Sequence, residues 1–314
     1  MNSGRVITRA FASITLPLVS VALLSAGEGC AESNFSSLSS TPLRYHDEAE
    51  VTAWMKSLPA RAPGITQYKV IGTSFEGREI GVISIGDDVT RVGSRKPSIV
   101  INATHHGDEK IGTESSLHLI ETLIEERDRP EIARMLAHYV FHVQPIVNPD
   151  GHFLGTRLDS RQRDINRDYA YPGRPDRRAF KTPEARAVRD LIDGEDVQAA
   201  IALHSGTEGV LWPWCHTREA PPDAPFLTRL AWRTARSLGT TARQSWHDYP
   251  SAGEFTDFVY WRQKAPALTI EVDRRHMPHP SQINTISART TKGILAFVGE
   301  LMKSSESRDI AANH

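Results

Sequence analysis

The chain has 314 residues, 39% hydrophobic and 24% charged, with a formal net charge of −1. That length suits one large α/β domain or two small ones. The near-neutral balance excludes the broad basic field that nucleic acid or an anionic membrane surface selects.

The first residues differ from the rest. Arg5 and Arg9 precede an uncharged stretch, Ala10 to Ala26, rich in Ala, Val and Leu. A positive segment followed by a short apolar one reads as a secretory signal, expected over residues 1–31 with cleavage after Ala26 or Ala31. Pro17 interrupts it, and it falls short of the ~20 apolar residues of a membrane span. Cys30 raises lipid attachment, but Gly27-Glu28-Gly29 matches that signal poorly, so simple export to a periplasm or the exterior is expected. Removal takes away Arg5, Arg9 and Glu28, which changes the charge from −1 to −2 and leaves Cys215 as the sole cysteine. The mature chain then has no intrachain disulfide and relies on its core.

Residues 32–45, rich in Ser and Thr from Asn34 onward, read as a flexible lead-in to a catalytic domain over 46–303, with 304–314 as a tail. Asp47 and Glu50 form a capping-box pattern, and Val51, Trp54, Met55 and Leu58 share one helical face. Tyr68–Gly72 and Ile80–Ile85 read as strands joined by a turn at residues 74–78. After Pro97 the apolar strand Ser98–Ala103 leads to His106. Leu117, Ile120, Leu123 and Ile124 mark a helix that stops before Pro130, and Tyr139–Val147 reads as a strand ending in the turn Asn148-Pro149-Asp150-Gly151. From Gly151 to Lys181 no periodicity survives, and long irregular loops in compact domains are commonly functional.

Thr182-Pro183 starts the next helix, which ends near Gly194, and the apolar run Val197–Leu203 delivers His204. Asp223 caps a helix that closes at Gly239. Ala267–Ile270 delivers Glu271, and a final helix carries Ile283, Ile286, Ile294, Phe297 and Leu301. Strands alternating with helices predict an α/β fold, a mixed, mostly parallel twisted sheet with helices on both faces. Ligands of such sheets sit beyond the carboxyl ends of the strands, where His106, His204 and Glu271 all fall.

His106 and Glu109 stand three apart, and imidazole nitrogen with carboxylate oxygen is a donor set that zinc prefers. The set His106-x-x-Glu109, Asn148-Pro149-Asp150-Gly151, Asp164-Ile165-Asn166-Arg167, His204-Ser205, Tyr249 and Thr269-Ile270-Glu271 resembles, in content and order, the funnelin-type zinc carboxypeptidases. The resemblance covers most of the mature chain. It implies one zinc ion per chain held by His106, Glu109 and His204, with a coordination position left for water or substrate. His105 is the rival first ligand, but the family places Gly directly after the ligand, and Gly107 follows His106.

By the same resemblance, Asp164 holds the far nitrogen of His106, and Arg157 polarises the scissile carbonyl. Asn166 and Arg167 grip the substrate's terminal carboxylate, and the Tyr249 phenol closes over the substrate. Glu271 is the general base that activates water at the zinc and passes the proton to the leaving amine. The implied function is hydrolysis of the C-terminal peptide bond of a peptide with a free carboxylate. Thr256, just before Asp257, takes the family's specificity position, and a small polar residue there suits a polar or unusual side chain. Exported bacterial relatives include amidases of the γ-D-glutamyl–diaminopimelate bond of murein peptides, and that activity, or a related zinc deacylase, is the alternative. A catalytically dead binding module would lack a ligand or the base, and neither is missing.

Overall fold

The computed structural model describes residue 1, residues 44–91 and residues 96–312, excepting the side chains of 305–312. The chain divides into units Met1–Asn34 and Phe35–His314, and every helix and strand of the described residues belongs to the second. The expected signal peptide, Cys30 and nearly all of the lead-in lie outside the described residues. Among the described residues no helix is long and apolar enough to cross a membrane.

The elements run α1 (Glu48–Arg61), β1 (Thr66–Thr73), β2 (Glu79–Ile85), β3 (Ser98–Ala103), α2 (Lys110–Glu125), α3 (Pro130–His138), β4 (Val140–Gln144) and α4 (Pro149–Leu154). Then come α5 (Pro183–Gly194), β5 (Val197–His204), β6 (Gly209–Trp212), α6 (Ala224–Leu238), β7 (Ala242–Gln244), α7 (Phe255–Gln263), β8 (Ala267–Glu271) and α8 (Ile283–Ala312). The strands form one mixed sheet in the order β1-β2-β4-β3-β5-β8-β6-β7. Its centre, β4-β3-β5-β8, is parallel, and antiparallel pairings flank it.

The apolar runs are buried on both faces, as a central parallel strand requires. In β3, Ile99, Ile101 and Ala103 join a core with α1, α2, α3, α6 and α8, whereas Val100 joins a second core with α5 and α7. The capping box at Asp47 and Glu50 and the Thr182 cap on Ala185 form as the sequence indicates.

Several local expectations change. Residues 130–138 form a helix, with Pro130 in its first turn and Ile132, Met135 and Leu136 buried. Asn148-Pro149-Asp150-Gly151 opens α4 rather than a free turn, the Asn148 side chain accepting the Gly151 N–H. Asp223 precedes α6 without a side-chain cap, because its Oδ2 accepts the Tyr260 hydroxyl instead. The long stretch after Gly151 contains α4 and short 3-10 turns at Ile165–Arg167 and Asp176–Arg178. The strands β6 and β7, and the helix α7, form where the sequence carries no clear periodic signal.

Candidate active site

The three apolar strands that end in chemistry, β3, β5 and β8, are neighbours in the sheet. His204 and Glu271 are direct partners across the β5–β8 pair. Beyond β3 the chain turns through Thr104, whose left-handed φ of 55° is uncommon for a residue with a Cβ. Thr104 is fully buried, and its hydroxyl pairs with that of Thr113 at 2.7 Å. His105 then points into the core, with Nε2 3.0 Å from the Tyr169 hydroxyl, while His106 turns to the opposite side. Gly107 is needed here: a Cβ would lie 2.0 Å from the Gly151 carbonyl carbon, so only glycine lets this loop rest on α4.

Glu109, at the start of α2, bridges the two outer imidazoles. Its Oε1 lies 2.7 Å from His106 Nδ1, and its Oε2 lies 2.9 Å from His204 Nδ1 and accepts the Ser205 N–H at 3.0 Å. Ligand atoms of the three residues lie within 4.8 Å of one another, and all three are buried. Asp164 Oδ1 stands 3.3 Å from His106 Nε2. Arg157 donates from Nε and Nη2 to Asp164 Oδ2 at 3.2 and 2.9 Å, and its Nη1 is 3.1 Å from His106 Nδ1.

These contacts also test whether a metal fits. Nδ1 of His106 faces an acceptor, Glu109, and a donor, Arg157, and one ring nitrogen cannot satisfy both at once. With Nε2–H against Asp164, a neutral ring turns its Nδ1 lone pair on the Glu109 carboxylate, acceptor against acceptor, which a shared cation relieves, and two nitrogens with a carboxylate suit zinc. Burial works against a charge on His106, but bonding to Asp164 and Glu109 outweighs it and raises the ring to about 9. Burial likewise opposes the charges on Glu109 and Asp164. The imidazoles facing Glu109 hold it well below the usual carboxylate range, and His106 with Arg157 does the same to Asp164. His105 is lowered by its full burial, so it stays neutral.

Glu271 lies in the same cleft with Oε2 buried and without a hydrogen-bond partner among the described residues. Burial, and next the negative charge of Glu109, raises it to about 8. Asn166 and Arg167 line the same cleft. The Asn166 amide is largely committed: Oδ1 accepts the Phe255 N–H at 3.0 Å, and Nδ2 is 3.4 Å from His204 Nε2. Tyr249 is 67% exposed, and the Arg167 guanidinium stands 6.0 Å from its ring.

The cleft has a volume of about 620 Å³ and a mainly polar lining that includes Ser245, Asp248, Glu254 and Thr269. Thr256 does not line it. That residue is buried in the first turn of α7, and Glu254, two positions earlier, faces the cavity instead. Sequence reasoning passed over Glu254, Asp248 and Cys215, single residues in irregular segments. A larger groove of about 1020 Å³ lies between α2, α3, α6 and α8, remote from the imidazole–carboxylate cluster.

Comparison with known proteins agrees with this geometry. A family model described as zinc carboxypeptidase matches residues 51–293. Carboxypeptidase SOL1 of Arabidopsis thaliana is 28% identical over 280 residues, covering 82% of this chain and 56% of that protein. Carboxypeptidase M of Mus musculus is 24% identical, covering 76% of this chain and 62% of that protein. The chain therefore spans less than two thirds of the length of these relatives. In fold it is similar to the carboxypeptidase A of Helicoverpa armigera, with TM-score 0.75, 18% identity and coverage of 84% of this chain and 75% of that one. The match of the family model to most of the chain, on the same fold, places this protein in the zinc carboxypeptidase family.

Proposed function

We propose that the chain is a zinc-dependent metallocarboxypeptidase that removes the C-terminal residue of a peptide. The observation that carries this reading is the pairing of His204 with Glu271 on adjacent strand ends, in one cleft with Arg157 and Arg167. His106, Glu109 and His204 would hold a zinc ion, which would supply Lewis-acid chemistry to the carbonyl and the attacking water.

The chain's own residues do the rest. Arg167 accepts the terminal carboxylate, fixing the last peptide bond relative to the ligands. Arg157, held by Asp164, presents donors where negative charge develops on the carbonyl oxygen. Glu271 takes the proton of the attacking water and delivers it to the leaving nitrogen, so one water is consumed and an acid and an amine are released. Tyr249, on the exposed loop beside Arg167, covers the bound end.

The same proposal takes the chain to be exported, on the strength of Arg5, Arg9 and the apolar run behind them, which sequencing the mature N-terminus would test. The activity test is mass spectrometry of a peptide and murein-peptide mixture after incubation with the zinc-loaded protein. Products shortened by one C-terminal residue support the proposal. Cleavage confined to the γ-D-glutamyl–diaminopimelate bond would replace it with the murein amidase reading.

A further inference from the structure

Arg167, which holds the substrate's carboxylate in the proposed reaction, already has a carboxylate partner within the chain. Its Nη1 donates to Glu254 Oε1 at 3.2 Å and to the Asn166 carbonyl at 2.8 Å, and its other N–H groups meet no acceptor among the described residues. The same Glu254 oxygen accepts the Ser251 hydroxyl at 2.6 Å. Ser251 Oγ is 3.2 Å from Cys215 Sγ, whose S–H also reaches the Tyr249 carbonyl at 3.2 Å. A continuous run of contacts therefore leads from Arg167 through Glu254 and Ser251 to the backbone that carries Tyr249. The loop lies directly on the arginine: Gly253 has φ +86°, and a Cβ there would come within 2.5 Å of the Arg167 carbonyl oxygen.

We propose that Glu254 is an internal competitor for the carboxylate clamp, a positioning residue that ties the Tyr249 loop to Arg167 until a substrate carboxylate takes its place. The inference rests on the carboxylate-holding reading of Arg167. The internal pair is built to yield, because it is a single contact between side chains that are 27% and 14% exposed. Partly exposed single contacts of this kind are weak. An incoming carboxylate can use the planar fork of the guanidinium bidentately, which is the stronger arrangement. Two carboxylates on one guanidinium repel, so binding of the second expels Glu254 and takes from Ser251 its acceptor. The loop is released only when the ligand brings its own carboxylate, and Glu254 thereby becomes a filter against peptides with a blocked C-terminus.

The test uses the zinc-loaded full chain and propionate as a minimal carboxylate, with affinity read by titration and loop mobility by backbone hydrogen exchange of residues 249–254. Glu254→Gln should bind propionate about 1.5- to fivefold more tightly than the wild type, the range of a weak ion pair removed from competition. A lost structural contact would not tighten binding. Ser251→Ala, which cuts the tie but keeps the charge, should exchange faster before any ligand is added, and bound propionate should change the wild-type exchange as the loop leaves Glu254's tie to Arg167 and moves over the carboxylate. Equal affinity in wild type and Glu254→Gln, or a wild-type loop indifferent to bound propionate, would overturn the latch alone. Propionate binding undiminished in Arg167→Gln would overturn the carboxylate-holding reading beneath it.

Discussion

Nδ1 of His204 stands 2.9 Å from Oε2 of Glu109, a residue 95 positions earlier in the chain. The contact exists because β3 and β5 are adjacent and parallel, so their carboxyl ends share one edge of the sheet. With Oε1 against His106, the one carboxylate holds both imidazoles.

If these three side chains are the zinc ligands, His204→Ala leaves two. Changes to groups that merely support a ligand weaken metal binding about 10–100-fold, so loss of a ligand should cost about 100-fold or more. Metal content after dialysis against a weak chelator measures this. Wild-type zinc occupancy in the variant would remove His204 from the site.

Zinc binding should depend on pH. Below about 9 the His106 ring of the metal-free chain is protonated, and the metal must displace that proton. Affinity should therefore rise by about tenfold per pH unit between pH 6 and 8 from this group alone. The stability linkage has the opposite sign. The ring's folded pKa lies above its ordinary 6.5, so its contribution in the metal-free chain is full below 6.5 and is lost as pH rises through about 9. Competitive zinc titrations at several pH values test the first statement, and pH-independent affinity would contradict it.

Glu184 gives a pH effect away from the metal. It is fully buried at the start of α5, with no hydrogen-bond partner outside its own residue among the described residues, and burial raises it from 4.5 to about 7. The folded state then holds a proton that the unfolded state has released, so stability falls as pH rises from 4.5 through about 7. The loss is on the order of 3–4 kcal/mol, one pKa unit being worth about 1.4. Urea unfolding of Glu184→Gln at pH 5 and pH 8 should show a flatter dependence than the wild type. An unchanged slope would mean that Glu184 ionises without cost.

The legible parts of the fold were those with strong local signals. The runs Ser98–Ala103, Val197–Leu203 and Ala267–Ile270 are apolar because both faces of each strand are buried, and each ends where the sheet ends. The helix α7 was illegible because its buried residues, Phe255 through Tyr260, are consecutive and show no 3.6-residue stripe. The edge strand β7 has three residues, too few for a pattern. Within the site, His106, Glu109 and His204 could be read from motif and strand ends. Glu254 could not, since its role depends on Arg167, 87 positions earlier, being brought to 3.2 Å by folding.

The central claim is that Glu271 serves as the base of a zinc carboxypeptidase, and Glu271→Gln tests it most directly. The substitution keeps the side chain's size and leaves the three ligand residues in place. Wild type and variant, both loaded with zinc and checked for equal metal content, should be given one peptide with a free C-terminus and the same peptide as its C-terminal amide. Mass spectrometry should show the wild type shortening only the free peptide by one residue. The variant should lose at least about 100-fold in rate, the lower end for a positioned acid–base group. Activity of the variant within a few-fold of wild type, at equal zinc, would contradict the account.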